Sequence, residues 1–191
     1  MKKLIIAGTL TAATLLSGIA SAAEYKVDHE GAHASINFKI QHLGYSWLTG
    51  RFNHFSGDFN YDKDSAENSE IKVVIQIASL DSNHAERDKH LKGEKFLEAD
   101  KYPTASFSSS HYQPSDANSG ILTGTLQLHG VSKSISFPIH KIGEGADPWG
   151  GYRAGFSGTT LLKLADYGID YDLGPASTHV EMELHIEGVR Q

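Results

Sequence analysis

Apolar and polar residues alternate along most of the chain beyond residue 30. The clearest run is HVEMELHIEG at 179–188, in which Val180, Met182, Leu184 and Ile186 oppose acidic residues and a histidine. A period of two is the pattern of a β-strand with one buried face. The same pattern, in places weaker, recurs at 33–40, 54–61, 71–77, 105–107, 121–130, 134–140 and 153–162. It predicts about eight strands.

The links between these runs are rich in turn-forming residues. They read DKDSAENSE, QPSDANSG, GEGADPWGG and DLGPAS. Short strands joined by turns favour an antiparallel sandwich or barrel. Glycines inside the strands, such as Gly57 and Gly124, fit the bends of a closed barrel and leave interior space. The stretch HLGYSWLTG at 42–50 has an apolar, aromatic composition and is predicted to be a connection.

One segment departs from alternation, namely SNHAERDKHLKGEKFLEADKYP at 82–103. Asn83 followed by Glu86 resembles a capping box, which predicts a helix over about 84–92. Gly93 is expected to end it. A further short turn at 96–97 precedes Pro103, which imposes extended chain. A single helix among eight strands is suited to capping a barrel end.

The N-terminus has the features of a secretory signal peptide over residues 1–23. Two lysines precede an uncharged apolar run, and GIASAA supplies small residues for cleavage after Ala22 or Ala23. This leaves one domain, 24–191. Its formal charge is −8, compared with −6 for the full chain, because the signal peptide carries two lysines and no acidic residue. An acidic chain does not match a nucleic-acid binder. The absence of cysteine excludes thiol catalysis and Cys-ligated metal.

The histidine-rich helix suggests metal-assisted chemistry as one alternative. His84 and His90 are six residues apart, which places them on different helix faces, whereas a helical zinc pair is spaced i, i+4. Asp88 stands at the i+4 position from His84. A metal-assisted enzyme using His84, Asp88 and His90 therefore rests on a weak pattern. The chain carries no G-x-S-x-G elbow and no phosphate-binding glycine loop.

The barrel interior offers the other two readings. An eight-stranded barrel is either filled by its side chains or holds one small ligand. The uncharged set predicted to face inward is Ile36, Phe38, Phe59, Ile75, Leu126, Phe137, Phe156, Met182 and Leu184. Periodicity alone leaves a filled structural or stress protein and a hollow binding protein equally open.

Spaced motifs then point to a family. NHAERDKHLKGEKFLEADKYPTASF resembles the H-x-x-R-D-x-H-L … F-L … Y-P-x-A-x-F signature of the YceI-like family, and IQHLGYSWLTGRF, LTGTLQLHGVSK and DPWGGYRAGF are similar to it as well. The resemblance implies a periplasmic, lipocalin-like all-β barrel with eight antiparallel strands and a short helical cap. It implies a tunnel that holds a polyisoprenoid, a quinone-like tail or another long-chain lipid without covalent attachment, and no catalytic activity.

On this resemblance, the inward set becomes a tunnel lining to which Trp47, Leu91 and Phe96 are added. His84 and Arg87 are candidates for contact with a ligand head group, although the pattern favours a purely structural role for them, with Asp88 and His90, in the cap. We expect no metal, no other cofactor, no nucleic-acid partner and no membrane-spanning segment. The sequence does not set the oligomeric state, and a homodimer is compatible with it.

Overall fold

The protein is described by a computed structural model covering residues 22–191, so the predicted signal peptide lies outside the described residues except for Ala22 and Ala23. Within this range there is one α-helix, α1 (Ala85–Lys92), and four 3₁₀ turns (Ala66–Asn68, Ile77–Ser79, Leu164–Tyr167 and Pro175–Ser177). The strands are β1 (Ala23–Val27), β2 (Ser35–His42), β3 (Ser46–Phe52), β4 (Phe55–Tyr61), β5 (Glu70–Gln76), β6 (Leu80–Asp81), β7 (Thr104–Pro114), β8 (Ser119–Leu128), β9 (Val131–Ala146), β10 (Tyr152–Lys163) and β11 (His179–Arg190).

These eleven segments form eight barrel strands, because three of the barrel strands are each interrupted once and so consist of two segments. β1 with β2, β3 with β4, and β5 with β6 each continue one strand, and all pairings are antiparallel. The order then follows the chain through β7, β8, β9, β10 and β11. The predicted fold, a closed eight-stranded antiparallel barrel with one short helix, is confirmed.

The barrel closes where the last strand meets the first. β11 pairs with β2 through Leu184↔Ile36 and with β1 through Tyr25↔Arg190. Between these two ladders, residues 28–34 leave the sheet as a bulging connection. One strand therefore seals both halves of the barrel wall.

The alternation missed β1, β3 and β6. The stretch predicted as a connection at 42–50 is instead a hairpin, whose turn has Leu43 and Gly44 at positive φ. β3 was hidden because Gly50 occupies an inward position where a strand pattern requires an apolar side chain. The ring of Phe38 lies against Gly50 and fills that place.

The two ends of the barrel differ. At the upper end, the cap formed by α1 and residues 93–102 packs Leu91 and Leu97 against the core. At the lower end, the 3₁₀ turn Ala66–Asn68 crosses between β4 and β5, and Ala66 packs on both apolar clusters of the interior. The interior between these covers is the place for a site.

Candidate functional site

An apolar cavity of about 150 Å³ runs inside the barrel between the two covers. It reaches from Leu162 and Met182 in the upper part to Tyr61 and Ser69 at the lower end. Five residues of β10 between Phe156 and Leu162 line its wall, a stretch that corresponds to about 20 Å along the strand. A void of roughly this volume with apolar walls stays dry and accepts an apolar ligand.

Eight of the twelve predicted tunnel residues line this cavity. They are Ile36, Phe59, Ile75, Leu126, Phe137, Phe156, Met182 and Leu184. Their common feature is a position on the inward face of a strand whose alternation is unbroken. The structure thus brings them together, while their contact with a ligand stays a prediction.

The other four lie elsewhere. Trp47 is 57 % exposed on the outward face of the hairpin, where it pairs with Gln41 and lies under the Lys39 ammonium. The alternation of β3 turns Leu48 inward instead, so Trp47 belongs outside the tunnel. Phe38 is buried against Phe52 beyond the cavity wall.

Leu91 and Phe96 belong to the upper cover and not to the cavity wall. Leu91 packs on the core beneath the cap. Phe96 also packs on that core and reaches Tyr171 with ring centroids 5.1 Å apart. Both residues close the barrel end.

Several lining residues were missed by the sequence reasoning. Phe107 and Tyr112 come from β7, whose SFSSSHY composition shows little apolar alternation, and a bulge between Ser109 and His111 shifts its register. The bulge is the reason that the inward positions 107 and 112 are an odd number of residues apart. The further lining residues Ile71, Val73, Leu122, Ile135, Ile139 and Ile186 lie on strands that were predicted.

The strand glycines do not create the cavity in the way expected. A side chain at Gly57 would meet the Lys72 carbonyl, and one at Gly124 would meet the Phe107 ring at 2.5 Å. Both positions are occupied by their neighbours. Gly158, by contrast, lines the cavity.

The lower end of the cavity is its polar end. The Lys141 ammonium donates to the Tyr61 phenol oxygen at 3.1 Å and to Glu144 at 3.3 Å. Burial lowers the pKa of Lys141, but the bonds to Tyr61 and Glu144 outweigh it, so the net shift is upward. Burial raises the pKa of Tyr112, another lining residue. Both side chains therefore keep their protons at neutral pH.

The cap histidine and arginine have structural partners. His84, and not Asn83, is the N-cap of α1, because its Nδ1 accepts from the Arg87 backbone N–H at 3.2 Å. The Arg87 guanidinium donates to Ser82 Oγ at 2.8 Å and to the Ser82 carbonyl. Neither residue lines the cavity.

Arg87 does reach a second space, the outer groove, of about 550 Å³. Its polar walls come from the outward faces of β2, β3 and β11, together with residues that precede α1. They include Asn37, Lys39, Thr49, Arg51, Asp81, Asn83 and Glu183. Cations and carboxylates of this groove are mixed, and Phe38 belongs to the wall between groove and barrel interior.

Two members of the alternative metal trio, His84 and Asp88, are already engaged. His84 Nδ1 accepts from a backbone N–H, and Asp88 accepts from both the N–H and the hydroxyl of Ser82. Among the described residues, Asp28, His33 and Glu187 do place ligand atoms close enough for an ion. The Arg153 guanidinium, however, donates to Asp28 and Glu187 there. A fixed positive charge thus stands where a cation would bind.

In the part of the chain that is described, no helix is long and apolar enough to cross a membrane.

The chain is similar to proteins of one family along its length. The sequence profile of the YceI-like domain matches residues 25–188. A UPF0312 protein of Shewanella sp. strain W3-18-1 is 50 % identical over all of both chains. The crystal structure of a Campylobacter jejuni YCEI protein is similar with a TM-score of 0.73 and 28 % identity, covering 95 % of this chain and 99 % of that one.

A more distant likeness concerns a protein with a described ligand class. The structure of a polyisoprenoid binding domain from Saccharophagus degradans, implicated in plant cell wall breakdown, is similar with a TM-score of 0.63. Its identity is 18 %, over 90 % of this chain and all of that one. At this identity the likeness is one of fold.

Proposed function

The chain belongs to the YceI-like family, and from this premise we propose that it binds a polyisoprenoid or a similar long-chain lipid, such as a quinone tail, inside its barrel. The observation that carries the proposal is the apolar cavity of about 150 Å³ between the two covers. The polyisoprenoid-binding domain of Saccharophagus degradans, with the same fold, supports this ligand class. Binding and delivery, not catalysis, is the proposed role.

The cavity walls fit an apolar chain better than a polar ligand. The lining is almost entirely aliphatic and aromatic, and burial of apolar area is worth about 25 cal/mol per Å². A long tail needs more room than a void of about 150 Å³ supplies. Met182 is unbranched and adaptable, so it is suited to move aside as a chain enters.

The two alternatives are less well supported. A filled structural barrel does not account for an internal cavity. A metal-assisted enzyme needs His84, Asp88 and His90 to converge, yet His84 and Asp88 hold the N-terminal end of α1. We also propose a periplasmic location, on the strength of the signal peptide in the sequence.

A charge on the cavity wall tests the ligand site. Leu126 is 9 % exposed and lines the cavity, whereas Ile121 is 39 % exposed on the outward face of the same strand. Leu126→Lys is expected to empty the barrel, because an ammonium in an apolar void repels a hydrocarbon chain and draws in water. Ile121→Lys is the matched control, and His84→Ala should also keep its lipid.

The measurement is native mass spectrometry with lipid extraction on protein purified from the periplasm. Circular dichroism establishes that each variant is folded. Should Leu126→Lys not fold, Ile135→Gln on the neighbouring strand β9 carries the same test with a smaller perturbation. A folded cavity variant that retains its lipid would show that the ligand lies elsewhere.

A further inference from the structure

Ser69 has a buried hydroxyl at the lower end of the cavity. Its Oγ is fully buried and has no hydrogen-bond partner among the described residues. Leaving a buried hydroxyl unpaired costs about 1–3 kcal/mol, so the atom calls for a partner. Ser69 itself lines the cavity.

Water is a poor partner at this position. A buried water molecule needs two to four polar contacts, and an apolar void stays dry. The cavity wall is overwhelmingly apolar. The natural partner for Ser69 Oγ is therefore a polar atom of whatever fills the cavity.

A second hydroxyl belongs to a neighbouring residue at the same end of the cavity. Asn60 pairs with Glu70, so the adjoining residues Tyr61 and Ser69 stand together at the end of the β4–β5 ladder, and both line the cavity. The Tyr61 phenol oxygen accepts from Lys141, which leaves its own O–H free to donate. The lower end thus offers one donor and one hydroxyl that can donate or accept.

The charges around this end select against an anion. Lys141 is the nearby cation, and it is already paired with Glu144 at 3.3 Å. Glu70, next to Ser69 in the chain, adds an exposed carboxylate near this end. A buried phosphate or carboxylate would be desolvated without a free cation, which is costly.

We infer that the lower end, at Ser69 and Tyr61, receives a neutral oxygen-bearing head group of the lipid, a hydroxyl or carbonyl. The tail then extends upward past Phe137 and Leu126 towards Met182. This rests on the proposed function of the barrel and assigns the head group to the end opposite His84 and Arg87. Both hydroxyls act by hydrogen bonding to the ligand oxygen.

The test compares three probes of one chain length: farnesol, its hydrocarbon counterpart farnesene, and farnesyl phosphate. Affinities are measured by displacement of a fluorescent alkyl reporter from delipidated protein. Ser69→Ala should weaken farnesol binding by about two- to ten-fold, which corresponds to one neutral hydrogen bond. Farnesene binding should change less than about two-fold, since it makes no such bond.

Two variants serve as controls. Ser108→Ala removes an exposed hydroxyl from β7 and should alter neither affinity. Arg87→Gln removes the candidate at the opposite end and should also leave farnesol binding unchanged. Tyr61→Phe repeats the test if Ser69→Ala does not fold. In the unaltered protein, farnesyl phosphate should bind at least about ten-fold more weakly than farnesol.

Several results would overturn the inference. They are an equal loss for both neutral probes in Ser69→Ala, no loss in either, a selective loss in Arg87→Gln, or tighter binding of the phosphate. If neither farnesol nor farnesene binds the unaltered protein, the failure lies in the proposed barrel function itself. Selective loss of farnesol in Ser69→Ala, with an unaffected Ser108→Ala, supports the head-group site.

Discussion

At the scale of single residues, the packing of the barrel wall depends on neighbouring side chains that fill the space beside strand glycines. Gly124 faces the Phe107 ring and the Ser108 carbonyl, each 2.5 Å from where a Cβ would stand. Gly143 on β9 has nothing within 4 Å of that point. A side chain is therefore tolerated at Gly143 but not at Gly124, although both glycines lie in strands.

Gly124→Ala should lower the free energy of unfolding by about 1–3 kcal/mol, because the added methyl group pushes Phe107 towards the cavity. Gly143→Ala should change it by less than about 0.5 kcal/mol. Urea denaturation of the two variants gives both values. Equal stability of the variants would mean that Phe107 moves without cost.

At the scale of elements, one buried residue gathers the polar contacts that hold the first turn of α1. Ser82 is 4 % exposed, and it receives the Arg87 guanidinium while donating to Asp88. Adjacent residues of a helix point in different directions, yet here both reach Ser82, which precedes the helix. A local polar cluster at Ser82 thus holds the start of the cap, while Leu91 and Leu97 pack its far side on the core.

Removal of the arginine should loosen this cap. Arg87→Ala leaves the Ser82 carbonyl without its donor and should cost about 1–3 kcal/mol of stability. Lys89→Ala, at an exposed position of the same helix, should have little effect. Chemical denaturation measures the difference, and lipid occupancy of folded Arg87→Ala should remain near normal. Unchanged stability with lost lipid would instead make Arg87 a ligand contact.

Another element-scale cluster joins the bulging connection at 28–34 to the β9–β10 turn. Arg153 binds Asp28 at 2.5 Å and Asp147 at 2.9 Å. Its hydrogen bond is the main cause that lowers the pKa of Asp28 from 3.8 to about 2, and His33 contributes next. The charged form of Asp28 is favoured in the folded state.

The lowered pKa of Asp28 makes the folding stability depend on pH. A carboxyl whose pKa is lowered by folding stabilises the protein at any pH above the pKa that the carboxyl has in the unfolded chain. For Asp28, this stabilisation is lost as the pH falls from 3.8 towards 2. Asp28→Asn should therefore be less stable at neutral pH and lose less stability over that interval. Thermal melts against pH, with exposed Asp100→Asn as reference, check it. Parallel curves for Asp28→Asn and the unaltered protein would contradict the assignment.

The sequence predicted those strands in which apolar and polar residues alternate over many consecutive positions. β11 and β8 alternate without a break, and so their inward residues Met182, Leu184 and Leu126 were placed correctly along the interior. β3 and the second half of β7 were not predictable, because Gly50 depends on a ring from another strand and the bulge near Ser109 resets the alternation. The burial of the Ser69 hydroxyl could not be predicted, because a serine in a turn-rich segment is usually exposed.

At the scale of the whole molecule, the barrel wall begins where the signal peptide is predicted to end. β1 starts at Ala23, whose partner is Tyr61, and Glu24 pairs with Asn60. Removal of residues up to Ala22 leaves this ladder complete, whereas cleavage after Ala23 removes only its first pair. Either cut is compatible with the closed barrel.

The mature protein in the periplasm is accordingly expected to begin at Ala23 or Glu24. Intact-mass measurement of protein released by osmotic shock determines the terminus directly. A chain that keeps Met1 and stays with the membrane fraction would show that the N-terminal segment is an anchor. The cytosolic form made without residues 1–22 provides the mass standard.

The double pairing of β11 also sets the order in which the chain can fold. Tyr25 meets Arg190 only after 165 further residues have been made, so the barrel cannot close before β11 has been synthesised. Contacts this distant in sequence make folding slow, since the entropy of loop closure must be lost before they form. Until β11 is available the barrel wall stays open beside β1 and β2, and a chain that has not yet closed its fold is what a translocation channel requires.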